Sequence, residues 1–147
     1  MTNVNRTTRT FRAILGALAV TALMAGTLSA DDGKNNNNTE VRLRTALAGG
    51  AIAGKTPTGN ADFRSESSKN RTRLNVEVEN VNLPDGTMLT VSVTHMGVTT
   101  MVGSITLRSG FGELELDSQD GDTVPAIAKG DMIAVSQGAT GILSGTF

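Results

Sequence analysis

The chain has no cysteine, no tryptophan and no tyrosine, and its 147 residues include only three prolines and one histidine. Each shortage removes options. Without cysteine there is no disulfide, no thiolate nucleophile, no sulfur-built zinc site and no lipid attached through a thiol. With one imidazole, His95, any site that needs two is excluded, and a Ser-His-Asp arrangement would depend on that single residue. Without Trp and Tyr the aromatic girdles of an outer-membrane barrel cannot be built, and the apparent strands are shorter than the ~10 residues that such a barrel uses. The net charge of −1 gives no basic surplus for nucleic acid.

What is present begins with a change of character along the chain. Residues 1–30 carry Arg6, Arg9 and Arg12 and no acid, then an uncharged run from Ala13 to Ala30 that ends in small residues before Asp31-Asp32. This is the pattern of a signal peptide cut after Ala30 by the general export route. The run is Ala-, Gly- and Thr-rich and its most apolar part is about a dozen residues, short for a membrane span. Removing three arginines takes the net charge from −1 to −4, further from a nucleic-acid binder and with no membrane span remaining after cleavage. Residues 31–39, Asp-Asp-Gly-Lys-Asn-Asn-Asn-Asn-Thr, have nothing apolar to bury and read as a flexible linker. Residues 40–147 then form the folded domain.

In that domain apolar and polar residues alternate again and again. Val41, Leu43 and Leu47 alternate with Arg42 and Arg44; Ala61 and Phe63 centre a second strand; Leu74, Val76, Val78 and Leu89, Val91, Val93 flank Leu83-Pro84-Asp85-Gly86-Thr87 as a hairpin. Val98 to Leu107 is interrupted at Gly103, where a bulge re-phases the side chains. Gly112–Asp117, Met132–Ser136 and Ile142–Phe147 complete about eight short strands, with no sustained helical period. The expected fold is all-β: an antiparallel β-sandwich, or a partly closed barrel, with Phe147 buried in its last strand. In the central turn, Pro84 and Asp85 suit the middle of a type I turn and Gly86 the position after it.

The segments "LPDGTMLTVSV", "VGSITL", "GELEL", "DGDTVP" and "ILSGTF", in this order, resemble a group of small exported bacterial proteins of uncharacterised activity, over about Leu43 to Phe147. The first half is also similar to chordin-type extracellular domains, though it lacks their paired-histidine region. These resemblances imply an exported bacterial β-domain of the cell envelope, secreted or periplasmic, and no particular activity.

Candidate chemistry is sparse. Asp117, Asp120 and Asp122 lie on a Gly-containing acidic turn that could wrap a hard cation such as calcium, although Leu116 and Ser118 break the helix-loop-helix calcium spacing. His95 sits at a hairpin tip near Met96 and Met101, a set that would suit a soft metal. Gly49 to Thr56 matches the phosphate-loop string Gly-x-x-x-x-Gly-Lys-Thr, but Pro57 and Gly59 follow where a helix is required. Basic residues gather early (Arg42, Arg44, Lys55, Arg64, Lys69, Arg71, Arg73) and acids late (Glu113, Glu115, Asp117, Asp120, Asp122, Asp131), so the two sets either face each other across neighbouring strands or drive head-to-tail self-association. The expectation is a non-enzymatic structural, adhesive or binding module for a protein or cell-surface partner. The alternative is a metal-dependent extracytoplasmic enzyme using turn 117–122 or His95.

Overall fold

The computed structural model describes residues 39–147. The leader and linker residues 31–38 lie outside them. Eight strands follow in order: β1 Glu40–Ala48, β2 Thr58–Glu66, β3 Arg71–Glu79, β4 Met88–His95, β5 Val98–Thr106, β6 Gly112–Asp117, β7 Met132–Gln137 and β8 Thr140–Thr146, with a single 3-10 turn at Ser67–Lys69. The alternation places them. Leu74, Val76 and Val78 are buried while Arg71, Arg73, Asn75 and Glu77 point outward, and β4 repeats the pattern with Leu89, Val91 and Val93 inside.

All eight strands belong to one antiparallel sheet of order β5-β4-β7-β8-β1-β2-β3-β6, which nearly closes on itself. It behaves as two four-stranded halves, because β1 and β8 are paired only at Ala48↔Ser144. Both halves contribute to one core, with Phe63, Leu74 and Val76 from one side and Leu89, Val91, Ile105, Ile133 and Val135 from the other. Each such side chain gains roughly 1.5–3 kcal/mol on leaving water, which must serve in place of disulfides. The expected bulge is present: Val91 opposes Gly103 and Ser92 opposes Met101, leaving Val102 as the extra residue.

One expectation is corrected. β3 and β4 do not form a hairpin, since β3 pairs with β2 and β6 and β4 pairs with β5 and β7. The link between them crosses from one half to the other. Asn80 turns it with φ 56°, and Val81 is buried, its N–H donating to Gly110 O at 3.0 Å. The turn is also one residue later than expected: Thr87 N–H donates to Pro84 O at 3.1 Å, so Asp85 and Gly86 are its central residues. Gly86, at φ 84°, supplies the positive φ that a type II turn needs in its second central position. Phe147 is half-buried against the core instead of fully buried, but its backbone is tied down on both sides, to Asp131 O at 3.0 Å and from Gly130 N–H at 2.8 Å.

The long connection between β6 and β7 packs across one end of the sheet. Its residues Val124 to Ile127 lie beside Val41, Phe63 and Thr72, and Pro125 and Ala126 also lie beside Val98 and Thr100. Ile127 joins the core.

The narrow β1–β8 junction depends on glycine. A Cβ on Gly145 would stand 2.5 Å from Ala46 O and 2.9 Å from Leu47 Cδ2, so any side chain forces the backbones apart. Gly145→Ala is expected to cost about 1–3 kcal/mol, as other overpacking changes do. Gly141→Ala in the same strand, where nothing lies within 4 Å, should be neutral or stabilising. Thermal melting of the two variants checks this, and equal melting temperatures would show that the junction is not close-packed.

Candidate functional site

The outer face of β1-β2-β3-β6 holds the densest array of polar side chains. The register sets Arg42 opposite Arg64 and Arg64 opposite Arg73, so three guanidinium groups share one row. Like charges in a row repel unless acids interleave. Here Glu40 and Glu66 flank the row on one side and Asp62 on the other. Arg64 NH2 donates to Glu40 at 3.1 Å and to Glu66 at 3.2 Å, and Arg42 donates to Asp62 at 3.2 Å. Arg44 also pairs with Asp62. Arg64 Nε lies 2.8 Å from Glu40 Oε1 without hydrogen-bond alignment, so this contact is electrostatic only. Arg73 reaches no closer than 3.7 Å to Glu66 and makes no hydrogen bond among the described residues. Asn60, Asn75, Glu77 and Glu115 continue the face into a shallow open groove.

Glu66 is buried beneath this row. A hydrogen bond from Lys69 at 2.8 Å, then the charges of Arg64, Lys69 and Arg73, hold its carboxyl below the usual carboxylate range against the pull of desolvation.

The acidic turn is organised around one internal carboxylate. Asp117 is buried, accepts from Arg71 Nε at 3.1 and 2.9 Å and from Gln119 N–H at 3.0 Å, and its own N–H donates to Asp122 Oδ2 at 3.0 Å. The Arg71 hydrogen bond, and after it Gln119 and the nearby arginine charges, push the Asp117 carboxyl down while burial opposes them. Asp120 is exposed, with its N–H on Asp117 O at 3.0 Å. Asp117, Asp120 and Asp122, the candidate ligands for a hard cation, share this turn. Among the described residues no three His, Asp or Glu side chains converge as a metal-binding group.

His95 is the last residue of β4 and pairs with Val98 across a two-residue turn, Met96-Gly97, with φ 48° and 79°. It is not a free loop histidine. Nδ1 donates to Asp131 Oδ2 at 2.7 Å, and the same oxygen accepts from Ala128 N–H at 2.7 Å. The Ala128 bond, then His95, lowers the Asp131 carboxyl against desolvation. Met101 points outward beside Ser92, whereas His95 follows the inward residue Val93 by two positions, so the imidazole and that thioether lie on opposite faces of the β4–β5 pair.

Two further motifs resolve into turns. In Gly49–Thr56, Ile52 and Lys55 bond each other across Ala53-Gly54, both at positive φ, and β2 follows with no helix. Asp85 accepts from Ser109 N–H at 2.6 Å, linking two turns. The early basic and late acidic residues do meet across neighbouring strands at Arg71–Asp117, but most early arginines are matched by the early acids Glu40, Asp62 and Glu66. Asp131 as the partner of His95, and Glu66 beneath the arginine row, were not singled out by sequence reasoning. Asp131 carried one usable signal, an acid directly before an apolar strand. Compared with known proteins, the chain matches no family model, no curated protein and no solved structure.

Glu66, Asp117 and Asp131 all have carboxyls lowered in the fold. Their contribution is present above the ordinary carboxylate pKa of about 4 and is lost as pH falls through the folded values. Melting temperature should accordingly fall steeply below about pH 4, and Asp131→Asn should melt lower at neutral pH but with a shallower acid slope. Parallel pH–melting curves for the two proteins would contradict this.

Proposed function

We propose that the chain is an exported, non-enzymatic binding or adhesive module of the bacterial cell envelope, secreted or periplasmic, with the outer face of β1-β2-β3-β6 as its binding surface. The observation that carries this reading is the Arg42–Arg64–Arg73 row, whose donors are only partly used within the protein. Arg73 has no hydrogen bond among the described residues, and Arg42 is about half exposed. The guanidinium donors left unused, flanked by Asn60 and Asn75 whose amides donate to Glu77 and Glu113, form a flat hydrogen-bonding surface for a polar partner carrying carboxylate or other oxyanion groups. The groove is shallow, which suits an extended partner better than an enclosed small substrate.

One feature that a metal-dependent enzyme would draw on is committed elsewhere. Asp117 is engaged by Arg71 and by its own turn, which supports the binding-module reading over an enzyme built on turn 117–122.

The test is retention on isolated cell-envelope material. Arg42→Ala with Arg73→Ala should lower retention several-fold at a temperature where circular dichroism shows the variant still folded, with some loss of melting temperature because Arg73 is one of the charges around the buried Glu66. Ser136→Ala, on the other half of the sheet, should change neither. Unchanged retention in the double variant would sink the assignment of this face. Calcium provides a separate check: a cation held by Asp117, Asp120 and Asp122 would raise the melting temperature by linkage, with the rise lost in Asp120→Ala. No rise is expected at millimolar calcium.

A further inference from the structure

β5 and β6 are the two ends of the strand order: among the described residues each is hydrogen-bonded to a single strand, and the two approach each other where the sheet nearly closes. Natural proteins guard such edges with charges, proline or bulges, because a bare row of backbone donors and acceptors recruits another strand. β6, Gly-Glu-Leu-Glu-Leu-Asp, carries two exposed glutamates on its outer face. β5, Val-Thr-Thr-Met-Val-Gly-Ser-Ile-Thr, has no charge and no proline over nine residues. Val98 and Met101 on it are 67% and 64% exposed.

Only part of β5 is open to a partner. At Gly103 the strand bulges and runs against Leu114 of β6, whose Cδ2 would lie 2.7 Å from a Cβ there. The unguarded length is Val98 to Val102, regular up to Met101 and ending at the bulge residue Val102. In that length Thr99 and Met101 face outward with Thr94 and Ser92, while Val98, Thr100 and Val102 face the core side.

We propose that this edge pairs with the same edge of a second copy of the chain, antiparallel about a two-fold axis at Thr100. Strand parity admits only a residue-centred axis, since residues opposite one another must share a face, and Thr100 is the centre of the free length. It sets Thr100 beside Thr100, Thr99 beside Met101 of the second copy, and Val98 beside Val102 of the second copy, so the exposed Val98 gains an apolar neighbour. Charge favours β5 over β6 as the joining edge. The outer face next to β5 runs Thr90, Ser92, Thr94, Met132, Ala134, Ser136, without a charged residue, so two copies meet there with no like-charge contact. Two β6 edges would bring Glu113 and Glu115 against their counterparts. Five paired residues make a small contact, so the dimer is concentration-dependent. This inference does not rest on what the charged face binds.

Because the chain has no cysteine, a single engineered one reports the register directly. Opposed residues in an antiparallel pair have Cα atoms about 4.5–5.5 Å apart, within disulfide reach. Oxidised Thr100→Cys should give a covalent dimer, whereas Thr99→Cys, Met101→Cys and Glu115→Cys each alone should give little. Mixing Thr99→Cys with Met101→Cys should restore cross-linking. Light scattering of the unmodified chain should show a dimer fraction that rises with concentration and is lost in Met101→Lys. An unmodified chain that stays monomeric up to its solubility limit overturns the proposal, whatever the variants do. So does a dimer that Glu115→Cys traps and Thr100→Cys does not. If an extended peptide from another protein is the true occupant, the unmodified chain stays monomeric and this reading fails.

Discussion

One end of this sheet is shut by a single segment, residues 118–131, and buried carboxylates hold that segment at both of its ends. Asp117 fixes the start by gripping Arg71 of β3 and the turn N–H of Gln119. Asp131 fixes the finish by accepting from His95 of β4 and from Ala128. Between them Ile127 drops into the core. The chain has no disulfide and no Trp or Tyr with which to seal that end, so exclusion of water there depends on where the segment is held. A buried carboxylate is costly unless nearly all of its acceptor capacity is used. Asp117 meets that condition through both of its oxygens, Asp131 concentrates two donors on Oδ2, and Glu66, with Lys69 and two arginines around it, is held at the β2–β3 turn.

The two outer faces divide the remaining chemistry. One half of the sheet gathers Arg42, Arg44, Arg64, Arg71 and Arg73 with Glu40, Asp62, Glu77, Glu113 and Glu115, and the other half shows Ser, Thr, Ala and Met. On the first, cross-strand register forces arginines side by side, and the repulsion is relieved by acids one row away. That arrangement leaves guanidinium donors partly unused and directed at solvent. On the second, nothing charged opposes close approach by another flat surface. The proposed binding face and the proposed pairing edge lie on different halves, so the two are compatible in one small domain.

Strand positions were legible in the sequence because burial on one face imposes period two, and every inward residue of β3 and β4 shows it. The bulge at Gly103 was legible too, since a break in that period has few other causes. Pairing was not. Leu-Pro-Asp-Gly-Thr has every residue a hairpin turn wants, yet it ends a crossover, because turn chemistry is local and the choice of strand neighbour is made by the whole core. The partners of the candidate residues could not be read for the same reason. Asp117 finds Arg71 46 residues away and Asp131 finds His95 36 residues away, separations that no spacing rule covers. A run of aspartates looks like a cation loop in one dimension, whereas register assigns its first member to an arginine on the neighbouring strand.

The held segment and the free edge are physically connected. Pro125 and Ala126 lie against the core side of Val98 and Thr100, the residues of β5 nearest its open end. His95, which anchors the segment through Asp131, is also the residue that β4 pairs with Val98. Loosening the Asp131 contacts would therefore withdraw support from the inner side of β5 and disorder its unpaired edge. A strand partner adds backbone hydrogen bonds to that same edge and steadies Val98, hence His95, hence the grip on Asp131. Edge pairing and closure of the sheet end should reinforce each other, because both require β5 to be regular over Val98 to Met101.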